Sequence, residues 1–217
     1  LSTQKCTQWY GMEAGISKRE QNRLQRRKAI VAIATRAFLD HGYAATSMSA
    51  IADELGGSKA TLWSHFSSKE DLFTAVIDDL VARFGDDLKA ILLDSDFTIE
   101  GLRRYCQRFL AKVLSEDGVA LFRLIVAEGG RSPEINAVFH IRAPVPLLNG
   151  LSAYFATRYT EEEAASLAQI TNCTLAGYRS QCLTRPKMPN AAEIEQFIDD
   201  FIAHLRLPAY VTPNEGR

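Results

Sequence analysis

A short segment of the chain, KATLWSH, carries side chains that could contact DNA bases. With Leu62 at 0° on a helical wheel, Ala60 and Ser64 fall at about 160° and about 200°, and Thr61 lies about 100° to one side. The two hydroxyl groups could hydrogen-bond to base edges, and the methyl group of Ala60 could meet that of thymine. Because these side chains are small, the helix backbone could approach the bases closely. We therefore predict that this outer face specifies a DNA sequence.

The residues around this segment are suited to phosphate contacts. Thr46 and Ser47 stand at the start of one predicted helix and Lys69 at the start of another, where free amide groups and the helix dipole favour an anion. Two alternatives stay open: Trp63 and His65 could simply pack against the protein, and Lys69 could be a solvated side chain. The residues predicted to contact DNA are Thr46, Ser47, Lys59, Ala60, Thr61, Trp63, Ser64, His65 and Lys69.

The charges of the chain are unevenly distributed. The 217 residues have a net charge of −1, but residues 1–69 carry 10 Lys/Arg and 5 Asp/Glu, a net of +5, which leaves −6 for the remainder. Such segregation indicates a basic end that faces a polyanion and an acidic part that does not. The basic stretch KREQNRLQRRK, residues 18–28, could lie along the phosphate backbone or enter a minor groove.

The elements that would position these residues are helices. Apolar residues repeat with a period of about 3.6, and strand-like alternation is scarce. Leu62 and Phe66 lie on one side of a helix barely two turns long, which is too short to be stable alone. Gly56 and Gly57 separate it from a helix that opens at Ser47, and a tight turn of this kind is typical of a helix-turn-helix unit. The second helix of such a unit enters the major groove of DNA.

The whole chain is predicted to be all-α, with about nine or ten helices. Capping residues mark the helix starts, including Ser58 before the short helix. Capping-box patterns at Ser68–Asp71, Thr160–Glu163 and Asn190–Glu193 mark three more. We predict a flexible basic N-terminal arm (1–20), a three-helix helix-turn-helix DNA-binding domain (21–70), a larger effector-binding and dimerisation domain (71–207) and a C-terminal tail (208–217).

The stretch TSMSAIADELGGSKATLWSHFSSKEDLF, residues 46–73, resembles the DNA-binding domain of the tetracycline-repressor (TetR) family. The resemblance covers about residues 23–76, and it departs from the family at Gly57 and Trp63, where a β-branched residue and a tyrosine are usual. It implies a homodimeric, all-α repressor whose C-terminal domain binds a small effector and then releases a palindromic operator. LFRLIVAEGGRSPEI, residues 121–135, is loosely similar to a C-terminal subgroup linked with efflux regulation.

Aromatic and polar residues of the middle helices predict an effector pocket. Ligand pockets are mostly apolar with a few placed polar groups, so the composition favours an apolar or aromatic effector and does not identify it. For each aromatic residue, the alternative is an ordinary place in the hydrophobic core. The predicted lining is Phe84, Arg104, Tyr105, Phe109, Phe122, Leu151, Tyr154, Phe155, Thr171 and Asn172.

Two apolar stripes near the C-terminus predict a dimer interface of four helices, two from each subunit. A dimer would place two recognition helices about one turn of DNA apart, roughly 34–36 Å. The alternative is that both stripes cover the core of their own domain. The predicted interface residues are Leu167, Thr171, Leu175, Tyr178, Ile194, Phe197, Ile198, Phe201, Ile202 and Leu205.

Other classes of protein are disfavoured. The sequence has no nucleophile elbow, phosphate-binding glycine loop or paired acids in a motif, so we expect no enzyme. Its four cysteines and four histidines lack metal-ligand spacing, and we expect neither metal nor cofactor. No signal-like or membrane-spanning segment is visible, so we expect a cytoplasmic protein without a membrane partner. The main alternative is a DNA-binding protein without a small effector, either architectural or controlled by a partner protein.

Overall fold

The computed structural model of the protein describes residues 17–56, 59–93 and 96–207, apart from the side chains of residues 84, 86 and 87. Within these ranges the chain forms ten helices and no strand, as the sequence predicts. The helices are α1 (Lys18–His41), α2 (Met48–Glu54), α3 (Lys59–His65), α4 (Lys69–Leu93), α5 (Ile99–Val113), α6 (Glu116–Glu128), α7 (Pro133–Arg142), α8 (Pro144–Ala156), α9 (Glu161–Leu183) and α10 (Ala191–His204).

Some predictions concern residues that lie outside the described ranges. They are the arm as far as residue 16, the cap at Ser58 and the tail from residue 208. No helix in the described part of the chain is both long enough and apolar enough to cross a membrane.

The first helix begins earlier than predicted. Ser17 caps α1, and its hydroxyl oxygen accepts the N–H of Glu20 at 3.2 Å. The helix therefore starts at Lys18, inside the predicted arm, because most residues of this polar stretch are good helix formers and none is glycine or proline. The prediction that residues up to 20 form a flexible arm is wrong for residues 18–20, which belong to α1.

The cap of α4 differs in one detail from the predicted capping box. The Ser68 hydroxyl oxygen accepts the N–H of Asp71 at 3.0 Å, but the Asp71 carboxylate accepts the N–H of Ser67 at 3.0 Å rather than that of Ser68. Two other helix starts form complete capping boxes as predicted, Thr160–Glu163 at α9 and Asn190–Glu193 at α10.

Two hydrophobic cores share the long helix α4. The first core contains buried residues of α1, α2, α3 and the first half of α4, and the second contains buried residues of α5, α8, α9 and α10. Leu72 and Leu80 of α4 lie in the first core, whereas Leu88 and Leu92 lie in the second. A shift of α4 at the second core would therefore change the packing of the first core, because packed interiors transmit strain.

The first core extends beyond the predicted DNA-binding domain, residues 21–70. Three residues of α6 (Leu121, Leu124 and Ile125) and Ile135 of α7 pack into it. Besides α4, the helices α6 and α7 thus connect the N-terminal helices with the rest of the molecule.

Candidate nucleic-acid interface and ligand cavity

The short helix α3 has one buried face and one exposed face. Leu62 is 0% exposed and Phe66, which directly follows the helix, is 1% exposed, so both belong to the first core. On the other side Ala60 and Ser64 are exposed, and Trp63 is 51% exposed. The helix is therefore held in place by its inner residues, and its outer face is open to a partner.

The polar side chains of this region make several contacts within the protein. The Ser64 hydroxyl donates to the carbonyl oxygen of Thr61 at 2.7 Å, and Ser47 caps α2 by accepting the N–H of Ala50 at 3.1 Å. Thr61 is partly exposed and Lys59 is exposed. Each of these predicted DNA-contacting side chains lies at the surface.

Thr46 does not lie at the surface. Its side chain is 5% exposed, and its hydroxyl group is within hydrogen-bonding distance of the carbonyl oxygens of Gly42, at 2.8 Å, and Ala37, at 3.0 Å. The prediction that the Thr46 side chain contacts a phosphate is therefore wrong. Thr46 instead fixes the turn between α1 and α2, a role that its position just before a predicted helix could not distinguish from phosphate binding.

Lys69 lies at the start of α4, as predicted. Its Nζ atom is 4.3 Å from the centre of the Tyr43 ring and donates to the carbonyl oxygen of Ala44 at 3.4 Å. Desolvation lowers the pKa of Lys69, against the opposing effect of Glu70 and Glu128. An ammonium group that has lost part of its hydration beside a helix start is suited to a phosphate ligand.

His65 connects α3 with the basic part of α1. Burial lowers the pKa of His65, and the positive charges of Arg23, Arg27 and Arg26 lower it further. The guanidinium carbon of Arg27 is 4.4 Å from the centre of the Phe66 ring. These arginines therefore lie beside the C-terminal end of α3. The basic stretch was the sequence signal for them, but residue-level predictions omitted them because their position beside α3 depends on tertiary packing.

An apolar cavity of about 300 Å³ lies between the middle helices. Of the predicted effector-binding residues, the structure places Phe109, Phe122 and Asn172 in its wall. The prediction did not include the two cationic lining residues, Lys112 and Arg179. The described lining consists of Val81, Gly85, Leu88, Phe109, Lys112, Val113, Gly118, Leu121, Phe122, Phe139, Ala143, Pro144, Leu147, Asn172, Ala176 and Arg179.

Six other predicted pocket residues do not line this cavity. Arg104 is exposed on α5 and cannot orient a ligand inside. Tyr154 is 1% exposed and packs in the second core, where its hydroxyl group accepts the N–H of Thr98 at 3.0 Å and lies 3.3 Å from the carbonyl oxygen of Thr98. Four more are buried away from the cavity, namely Tyr105, Leu151, Phe155 and Thr171. The side chain of Phe84 lies outside the described atoms.

Four predicted dimer residues face the core of their own chain. Leu167, Thr171, Leu175 and Ile198 are at most 4% exposed, so they cannot form a surface between subunits without unfolding. The stripe of α9 that contains three of them turns inward because this helix covers the second core. The remaining predicted residues are partly exposed: Tyr178, Ile194, Phe197, Phe201, Ile202 and Leu205.

The outward face of α9 was not predicted. Ile170 is 48% exposed, and the exposed Cys173 and Gly177 follow it on the same side of the helix. Tyr178 stacks on Phe197 of α10 with ring centres 3.8 Å apart. The two C-terminal helices, α9 and α10, therefore present a surface of apolar and small residues.

The geometry described above defines a class of protein. The two-faced short helix α3 follows α2 after a connection of four residues, and a larger helical part with an apolar cavity is attached through α4, α6 and α7. This is the arrangement of a helix-turn-helix DNA-binding regulator.

The comparisons with known proteins identify the family. Residues 30–76 match the family described as bacterial regulatory proteins, tetR family, and residues 100–203 match the C-terminal domain of AefR-like transcriptional repressors. The chain is 30% identical over 186 residues to the HTH-type transcriptional regulator BetI of Rhizobium meliloti. This match covers 83% of this chain and 90% of BetI. The chain belongs to the TetR family of transcriptional regulators, whose members are DNA-binding proteins and not enzymes.

Further relatives agree with this assignment. The chain is 44% identical over 71 residues to the HTH-type transcriptional activator FasR of Mycolicibacterium smegmatis, a match that covers 30% of this chain and 32% of that protein. A crystal structure of a putative TetR-family regulator from Mesorhizobium loti has a TM-score of 0.72 at 24% identity, covering 83% of this chain and 95% of that one. The structure of the flavonoid-responsive regulator FrrA has a TM-score of 0.65 at 25% identity, and the match covers 82% of this chain and 95% of FrrA's chain.

Proposed function

We propose that this chain is a homodimeric repressor that acts in the cytoplasm, binds a palindromic operator and is released from it by a small, largely apolar effector. The observation that carries the proposal is the two-faced α3. Its residue Leu62 is fully buried, while Ala60 and Ser64 are exposed on the opposite side. The exposed face would enter the major groove, and the α1 arginines, Lys69 and Ser47 would contact phosphates on either side of it.

Repression is proposed because the C-terminal match is to AefR-like repressors. The similarity to FasR, an activator, keeps activation as the alternative outcome. Control by a partner protein without a small effector is less well supported, because the middle helices line a cavity of about 300 Å³, within the size range of ligand pockets.

Effector control would pass through α4 and α6, which line the cavity and also pack in the first core. Val81 and Gly85 of α4 and Phe122 of α6 line the cavity. At the end of α6, a Cβ atom placed on Gly42 would lie 2.8 Å from the Glu128 carboxylate, so α6 closely approaches the turn after α1. In one conformation of the dimer the two α3 helices would be spaced to fit the operator, and in another they would not. An effector that binds the second conformation more tightly would increase its population and so release the protein from DNA.

The dimer is proposed to form through the outward face of α9 together with the partly exposed aromatic residues of α10. Ile170→Asp would place a charge in this interface, whereas Val126→Asp would place one at a similarly exposed apolar residue of α6, 65% exposed against 48% for Ile170. Sedimentation velocity should give a monomer for the Ile170 variant and a dimer for the Val126 variant. Dimers for both would remove α9 from the interface.

The proposed function is tested by DNA selection from genomic fragments at ~150 mM salt, near physiological ionic strength. We expect a small set of fragments that share an inverted repeat, and equal retention of every fragment would contradict sequence-specific binding. Genes adjacent to the selected sites then supply candidate effectors, and an effector should raise the dissociation constant for the operator. A compound that binds the protein but leaves operator affinity unchanged would contradict release by that effector.

A further inference from the structure

Arg179 holds an unusual position in the cavity wall. Its guanidinium carbon is 3.6 Å from the centre of the Phe122 ring, so the cationic group stacks on an aromatic face. Its Nε atom is buried and has no hydrogen-bond partner. Among the side chains that the structure describes, which exclude those of residues 84, 86 and 87, no carboxylate forms an ion pair with Arg179. A partly buried cation without an anion is normally unfavourable.

The surroundings of Arg179 explain why a ligand, and not the protein, would supply the missing anion. The described lining of the cavity contains two cations, Lys112 and Arg179, and no carboxylate. The Nζ atom of Lys112 donates to the carbonyl oxygen of Arg83 at 3.1 Å, which fixes this ammonium group at the cavity wall. Desolvation lowers the pKa of Arg179, as expected for a cation partly removed from water and lacking a counter-ion.

The rest of the cavity wall is suited to an apolar body. Phe109, Phe122 and Phe139 line it together with aliphatic side chains. Asn172, Ala176 and Arg179 are spaced four and three residues apart and share one face of α9, so the small Ala176 leaves room between two polar groups. Asn172 can donate to or accept from a second ligand atom.

We infer that the effector is an apolar acid: a molecule with an aromatic or aliphatic body in the cavity and one carboxylate bound by Arg179. This inference rests on the proposed function, and it assigns the chemical class of the effector. The planar guanidinium group can donate two parallel hydrogen bonds to a carboxylate, which an amide or alcohol of the same shape cannot match in charge. Phe122 would hold the guanidinium plane in position before the ligand arrives, since stacking restricts its orientation.

The test is calorimetric titration of the full-length protein, without DNA, with two acids and their matched neutral amides. The aromatic pair is 2-naphthoate and 2-naphthamide, and the aliphatic pair is octanoate and octanamide. We expect at least one acid to bind about 10-fold to 100-fold more tightly than its amide, the range for a hydrogen bond to a charged group. The pair that binds more tightly distinguishes an aromatic from an aliphatic body.

Two arginine variants separate a ligand contact from a general charge effect. Arg179→Gln should remove the preference for the acid, and Arg179→Lys, which keeps the charge but loses the planar fork, should retain part of it. Arg104→Gln changes an exposed arginine of α5 in the same way and should leave the preference unchanged. Circular dichroism checks that each variant is folded, and the lysine variant still tests the contact if the glutamine variant does not fold.

Three results would overturn the inference: equal affinity for acid and amide, no binding of either acid at millimolar concentration, or a full acid preference in Arg179→Gln. Failure of the proposed function gives a different result. An acid that binds through Arg179 but leaves operator affinity unchanged contradicts effector-driven release and supports the acid site. An amide that binds as tightly as its acid and also releases the operator supports effector-driven release and contradicts the acid site.

Discussion

Replacing Leu62 with alanine tests whether α3 is held by its inner face. This helix has seven residues, and a helix so short is marginal in water, so its position depends on packing. The Leu62 side chain is 0% exposed in the first core. Removing it should lower the free energy of unfolding by about 2–5 kcal/mol, the usual range for a buried Leu→Ala change. For a chain of this size, the melting temperature should fall by about 4–20 °C.

Ser64→Ala is the matched control on the same helix. Ser64 is exposed, and its hydroxyl group donates only to the carbonyl oxygen of Thr61. Its replacement should change the free energy of unfolding by no more than about 0.5 kcal/mol, as for most surface substitutions. Urea unfolding at one fixed protein concentration measures both variants, since dimer formation makes stability depend on concentration.

Operator binding completes this comparison. Leu62→Ala should weaken binding to every DNA sequence, because the whole helix loses its support. Equal stability of the Leu62 and Ser64 variants would refute the reasoning, since it would mean that the inner face does not anchor α3. A Leu62 variant of low stability and undiminished operator affinity would refute the second step, that the position of α3 determines DNA binding.

Two other predictions follow from the electrostatics of the interface. Lys69→Ala should weaken binding to all DNA sites alike and reduce the slope of log K against log salt by about 0.9, the value for one phosphate contact. Lys89→Ala, in the second half of α4, is the control and should leave the slope unchanged. Equal slopes for the two variants would remove Lys69 from the interface. The pKa of His65 lies below its ordinary value of 6.5 in the folded state, so the unfolded chain takes up this proton first as pH falls. The free energy of unfolding should therefore decrease as pH falls through 6.5 and level off below the folded-state pKa of His65. In urea titrations His65→Asn should reduce this pH dependence. The same pH dependence in the variant would contradict its assignment to His65.

Local sequence patterns predicted much of the fold. The caps at Thr160 and Asn190 depend on residues three positions apart, and both were predicted correctly because their hydrogen bonds lie within one helical turn. The two faces of α3 follow from helical spacing alone, so Leu62 and Phe66 could be assigned to the core before any tertiary contact was known.

Tertiary contacts decided the features that the sequence did not predict. Periodicity shows that α9 has an apolar stripe, but it does not show whether the stripe faces another subunit or its own core, and Leu175 proved to be fully buried. Thr46 is buried because the turn after α1 brings two carbonyl oxygens to its hydroxyl group. Arg179 faces the cavity because Phe122 of a distant helix packs against it. No spacing rule within one helix could have identified that pair.

The most direct test of the account is selection of binding sites from random DNA by the native protein and by Ser64→Ala. We expect the native protein to select two inverted half-sites whose centres are roughly 34–36 Å apart, one turn of DNA. The Ser64 variant, with native stability, should change the base preference at the same position of both half-sites. Identical selected sequences for the two proteins, or selection of no common sequence by the native protein, would contradict the claim that the exposed face of α3 specifies the operator.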